Sequence, residues 1–205
     1  MREVSESEVR RLVREAVDRA LGPATGTTPA RAAAPSPPPA APRPAPAARP
    51  ATAAAPRRVA IGSDHGGFPL KEVLKREIAE ELGWEVHDCG THSTEAVDYP
   101  DFAAAVGREV ASGRSARGIV VDAAGIGSSI AANKVPGVRC ALCHDDVTVL
   151  NSREHNDANV LALGARVVHR GAAARMVKLF LNTPFGGGRH ERRVQKIVAL
   201  EQRPT

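Results

Sequence analysis

The run Gly118-Ile119-Val120-Val121-Asp122-Ala123-Ala124-Gly125-Ile126-Gly127-Ser128-Ser129 passes from four residues without polar side chains, through a carboxylate and a glycine turn, into a helical period. A strand that is apolar at every position is covered on both faces, and sheets built that way are parallel, with helices as the crossovers. Gly125 and Gly127 allow the sharp bend that turns such a strand into the helix expected over 127–133. Flanking sequence repeats the alternation. Apolar runs at 59–61, 84–86, 138–142 and 159–163 give four more strands. Helical periodicity places helices at 70–82 (Leu70, Val73, Leu74, Ile78, Leu82), 102–110, 145–153, 172–181 and 189–201. The pattern predicts an α/β domain over 58–205 with a five-stranded parallel sheet covered by helices on both faces. Ligands of such sheets sit beyond the carboxyl ends of the strands, so the polar residues just after each strand are the ones to inspect.

Composition removes several classes of function. The 205 residues are 42% apolar, enough for one solid core. Only 3% are aromatic, with Trp84 and Tyr99 single copies, so a stacking platform for single-stranded nucleic acid is poorly supplied. The net charge of +5 is placed unevenly: residues 23–58 carry five Arg and no acid, whereas 59–205 carry 18 basic and 18 acidic side chains. A neutral domain with five arginines dispersed in a tether is a weak phosphate-backbone binder, and nucleic acid is not an expected partner. No apolar run approaches the roughly 20 residues of a membrane helix, and residues 1–22 lack the apolar region of a secretory signal, so a cytoplasmic location is expected. Cys89, Cys140 and Cys143 are too few for a disulfide framework. Cys140 and Cys143 form a CxxC in an expected buried strand, where packing is the plainer reading than redox work. His87, His92, His144 and His169 share no ligand spacing, and neither a metal nor a cofactor is expected.

Upstream, residues 23–57 are a Pro/Ala-rich segment that cannot nucleate a helix or bury a face, and read as a flexible, partly extended linker. Residues 1–22 read as one isolated amphipathic helix. Val9, Leu12, Val13, Ala16, Val17, Ala20 and Leu21 fall on one stripe, Ser5 with Glu8 makes a capping box, and Gly22-Pro23 stops the helix. Five Arg balance five acids there, which disfavours a membrane surface. Self-association and a groove on another protein remain as partners for the stripe. A short amphipathic helix and a Pro/Ala linker ahead of an enzyme domain resemble the encapsulation peptides that carry enzymes into bacterial microcompartments. That resemblance implies a shell or core protein as the partner of residues 5–21.

Asp64 and His65 follow the first strand in Gly62-Ser63-Asp64-His65-Gly66-Gly67, where a substrate would bind, although a turn-capping Asp beside a surface His would look the same. The turn at 123–127 offers N–H groups to an anion or a developing oxyanion, or is only a tight connection. Arg189 and Arg193, four apart on the last helix, crowd cations at a helix start where the macrodipole disfavours them; they either reach one phosphate together or pair with surface acids. Arg166, after the fifth strand, is a further candidate. His155-Asn156-Asp157 ends a helix just before that strand.

Taken together, Gly62-Ser63-Asp64-His65-Gly66-Gly67, Asp98-Tyr99-Pro100, Gly125-Ile126-Gly127 with Ser129-Ile130-Ala131-Ala132-Asn133-Lys134, Ser152-Arg153-Glu154-His155-Asn156, and Gly187-Gly188-Arg189-His190 with Arg193 strongly resemble the type B ribose-5-phosphate isomerases and the related galactose-6-phosphate isomerase subunits. The resemblance runs from 59 to 202. It implies a Rossmann-like α/β/α sandwich, a homodimer or dimer of dimers with shared active sites, and metal-free interconversion of a phosphorylated aldose and ketose, ribose 5-phosphate and ribulose 5-phosphate first. It further implies that Asp64 and His65 contact the sugar, that His155 is delivered from a second subunit to assist ring opening, and that Arg166, Arg189 and Arg193 hold the phosphate. Tyr99, Ala123, Ala124, Gly125, Gly127 and Asn156 complete the expected substrate-binding set. The chain departs from the family at the base: Asp122 stands where one branch has Cys, Ala124 where that branch has a hydroxyl, and Ser128 where another branch has Glu. Asp122 is expected to serve as the base, with a pKa raised by partial burial. The alternative is a sugar-phosphate-binding or scaffold protein whose reaction is altered or lost.

Overall fold

The computed structural model describes residues 57–201, together with Arg11 and Glu15. The chain divides into two units, 1–54 and 55–205. In the first, Arg11 and Glu15 are helical and form an ion pair of 3.3 Å one turn apart. The rest of the amphipathic segment over 5–21, and the linker up to residue 56, lie outside the described residues.

In the second unit the elements run β1 (Arg58–Ser63), α1 (Phe68–Glu80), β2 (Glu85–Asp88), α2 (Tyr99–Ala111), β3 (Arg117–Asp122), α3 (Ile126–Ala132), β4 (Cys140–Leu142), α4 (Asp146–Glu154), β5 (Val160–Gly164) and α5 (Arg170–Asn182). A 3-10 turn, Gly188–His190, then leads into α6 (Glu191–Leu200). All strand pairs are parallel and the order is β2-β1-β3-β5-β4. The expected five-stranded parallel α/β sandwich is therefore the observed one. From β1 the chain crosses to β2 on one side and returns to β3 on the other, which opens a crevice between the carboxyl ends of β1 and β3.

Alternation along the central strands divides the core in two. Val59, Ile61, Ile119, Val121, Leu161 and Leu163 face Leu70, Leu74 and Ile78 of α1 and Met176, Val177 and Phe180 of α5. Ala60, Val120, Val160 and Ala162 face Ala103, Val106 and Val110 of α2. Gly67 lets α1 begin against β3, since a Cβ there would lie 2.2 Å from the Val121 carbonyl oxygen.

Three boundaries differ from the sequence reading. Helix α2 starts at Tyr99, before the expected 102, because Pro100 fits the first turn and Asp98 is the extended residue ahead of it. Strand β4 holds three residues, since Val138 N–H turns back to the Val135 carbonyl and Arg139 N–H goes to the Asn159 side chain. The outward N–H and C=O of Cys140 are both bonded by the Asn133 side-chain amide, at 2.8 and 2.9 Å, which occupies the start of that edge strand. The last helix opens with a 3-10 turn because Gly187 and Gly188 adopt φ of 62° and 55°. Arg189 therefore sits in that turn, and the expected single α-helical face shared with Arg193 is not formed.

Candidate active site

At the carboxyl ends of β1, β3 and β5 the loops are bonded to one another. Asp64, buried directly after β1, donates its N–H to the Val121 carbonyl at 3.3 Å, and its Oδ1 accepts from Gly67 N–H at 2.8 Å. The carboxylate thus braces the start of α1 and points it at the crevice. His65 is exposed, with Nδ1 3.3 Å from both N and O of Val97. Arg166 is exposed after β5, and its N–H donates to the Ala123 carbonyl at 3.0 Å. Tyr99 lies over Gly127, where a Cβ would come within 2.5 Å of the ring.

Asp122 ends β3 and is 5% exposed. Its Oδ1 accepts from the N–H groups of Ala124 and Gly125, at 2.8 Å from the first, and its Oδ2 accepts from Ser128 N–H at 2.9 Å. Burial pushes the carboxyl up, but the Ser128 hydroxyl and the Ser128, Gly125 and Ala124 N–H groups outweigh it and hold the group below the usual carboxylate range. This overturns the expected rise in pKa. It also corrects the picture of a vacant cradle, because the N–H groups of Ala124 and Gly125 hold the protein's own carboxylate. Ser128, which the sequence reading set aside as a lost acid, is the hydroxyl that keeps Asp122 ionised.

A second cluster lies at the opposite end of the sheet. Helices α4 and α5 run antiparallel to the strands, so α4 ends, and α6 begins, near the amino end of β5. His155 follows α4, with Nδ1 2.8 Å from Asn151 Nδ2, and its ring stacks on His190 with centroids 4.1 Å apart and planes 6° from parallel. Gly186 N–H donates to the Glu154 carbonyl at 2.9 Å and pins the turn that carries Arg189 and His190. Arg193 follows in the first turn of α6, and Asn156 lines a cavity of about 250 Å³ with Arg139, Ser152 and Ile197. The sequence reading gave His190 no role beyond its place in the Gly187-Gly188-Arg189-His190 motif; the ring stack is a tertiary contact that no spacing encodes.

Within one chain the predicted residues are thus brought together in two groups. Asp64, His65, Tyr99, Asp122, Ala123, Ala124, Gly125, Gly127 and Arg166 are at one end; His155, Asn156, Arg189 and Arg193 are at the other. The five residues of β5, at about 3.3 Å each, separate the ends by roughly 16 Å. The thiols belong to neither group. Burial pushes Cys89 and Cys140 up to about 12 and raises Cys143 as well, which agrees with the packing reading of the CxxC.

The family model described as Ribose/Galactose Isomerase matches residues 59–197. The chain belongs to the ribose/galactose isomerase family. Ribose-5-phosphate isomerase B of Escherichia coli K12 is 44% identical over 147 residues, which are 72% of this chain and 98% of that protein. The solved structure of Clostridium thermocellum ribose-5-phosphate isomerase B is 50% identical, with a TM-score of 0.69 over 71% of this chain and 97% of that one. A ribose-5-phosphate isomerase B from Mycoplasma genitalium, solved with bound ribulose-5-phosphate, is 37% identical with a TM-score of 0.69 over 72% and 97%. The family match covers the domain from β1 into α6 and leaves residues 1–58 outside it. Among the described residues no helix is long and apolar enough to cross a membrane.

Proposed function

We propose that the chain is an aldose-ketose isomerase that interconverts ribose 5-phosphate and ribulose 5-phosphate in a site assembled from two copies. The observation that carries this reading is the split of the family's residues between the two ends of one sheet, carboxylates at one and the His/Arg cluster at the other. Arg189 and Arg193, with Arg166, hold the dianionic ester. His155 gives a proton to the ring oxygen while Asp64 takes the proton of the anomeric hydroxyl, and the sugar opens.

Asp122 then takes the proton from C2, and the C–H electron pair becomes the carbon-carbon double bond as the carbonyl oxygen at C1 turns anionic. Protonation removes the negative charge from the carboxyl at the moment that one appears on the enediolate. The N–H groups of Ala124 and Gly125, with the backbone from 123 to 127, then serve the new oxyanion. The C2 hydroxyl proton passes to O1, and as Asp122 returns the carbon-bound proton to C1 the double-bond electrons form the new C1–H bond and the carbonyl forms at C2, which gives the ketose. Hydrogen bonds to the ionised form make Asp122 a weak base that is fully ionised near neutral pH.

Self-occupation of the cradle favours a second reading, a protein that keeps sugar-phosphate binding with its reaction altered or lost. An isomerase assay of the full chain beside Asp122→Ala separates the two. The first reading expects turnover that falls by about a hundredfold in the variant. Equal rates remove Asp122 from the chemistry, and absence of turnover with any sugar phosphate favours the second reading. Residues 5–21 are proposed as the segment that delivers the enzyme to a microcompartment shell, on the strength of their apolar stripe and balanced charge. Failure of a reporter carrying residues 1–22 to co-purify with shells would leave self-association as the role of that stripe.

A further inference from the structure

The stacked imidazoles assign a role to a residue outside the substrate-contacting set. Asn151 Nδ2 can only donate, so Nδ1 of His155 accepts and the proton of the neutral ring is on Nε2. Arg189 Nε likewise only donates, at 3.3 Å to His190 Nε2, which requires a lone pair there and makes His190 neutral with its proton on Nδ1. Two rings 4.1 Å apart and nearly parallel do not both carry charge without strong repulsion. We infer that His190 is a positioning residue, a neutral aromatic platform that holds the plane of the His155 ring on its Asn151 partner, so that the Asn151 bond selects the Nε2–H tautomer and the ring donates its proton in one direction.

The charges around the pair agree. Burial lowers the His190 pKa, and His155, Arg189 and Arg193 lower it further, while Glu154 on α4 acts in the opposite sense. The guanidinium groups assigned to phosphate therefore also keep the platform uncharged. The inference rests on the reading of His155 as the ring-opening acid, but its central observable, the tautomer, does not require turnover.

The full chain labelled with 15N-histidine, as wild type, His190→Ala, His190→Gln and His190→Phe, tests it. Two-bond proton-nitrogen correlations report the His155 tautomer, and steady-state rates are measured with ribose 5-phosphate. Wild type should show a single Nε2–H form. Alanine and Gln variants should mix tautomers and lose about tenfold in kcat with KM within about twofold, and Phe, which keeps the stacking face, should recover most of that loss. If the Ala variant does not fold, the contrast between Gln and Phe decides. An unchanged tautomer and kcat in His190→Gln would overturn the inference. A tenfold rise in KM alone would also overturn it, because His190 would then be a substrate contact. Mixed tautomers in the Ala and Gln variants beside a wild type with no isomerase activity would keep the platform and discard the isomerase reading.

Discussion

Asp122 accepts from three backbone N–H groups and the Ser128 hydroxyl, so any change there leaves buried donors without partners. Asp122→Asn keeps the size and one acceptor oxygen but turns an amide N–H toward the Ser128 N–H, and should cost about 2 kcal/mol in denaturant unfolding. The same carboxyl links stability to pH. Its folded pKa lies below the unfolded value, as does that of Asp88 beside Lys71 and Lys75. Such groups contribute fully above the unfolded carboxylate pKa, and their contribution is lost as pH falls through that value toward the lower folded one. Thermal unfolding followed from pH 7 to 3 should show the fall beginning near pH 4, and less steeply in Asp122→Asn. The strand pattern of 118–121 made the burial of Asp122 legible. Its partners were not, because the direction of an N–H group in a glycine turn depends on dihedral angles that residue types do not state.

Helix α1 and strand β3 meet at Gly67, where backbone approaches backbone. Gly67→Ala brings a methyl group to 2.2 Å from the Val121 carbonyl oxygen, which cannot bend aside as a side chain would. The expected cost is about 3 kcal/mol in chemical denaturation, with loss of activity because Asp64 caps the same turn. Period and punctuation placed every helix and strand of the domain, since Leu70, Leu74 and Ile78 or Val59 and Ile61 carry their burial in their spacing. Of the boundary errors, the one at β4 came from a tertiary bond, Arg139 leaving the expected strand for Asn159, whereas the starts of α2 and of the last helix were set locally by Pro100 and by the positive φ of Gly187 and Gly188.

Across the whole molecule, Asp64 and His155 stand at opposite ends of one sheet, and neither end alone holds both the carboxylates and the Arg/His cluster. Mixing Asp64→Ala with His155→Ala chains under conditions that exchange subunits should restore about a quarter of wild-type activity, because half of the dimers would be mixed and each would hold one intact site of two. Mixed dimers verified by mass and still inactive would place the whole reaction within one chain. Motif order along the sequence carried the family, but no motif states which end of the sheet it reaches; that follows from α4 running antiparallel to the strands it connects. The amide of Asn133 imitates a neighbouring strand at Cys140. Wherever these molecules are crowded together, a foreign strand approaching that flank finds the N–H and C=O of Cys140 already taken, which makes templated pairing there less favourable.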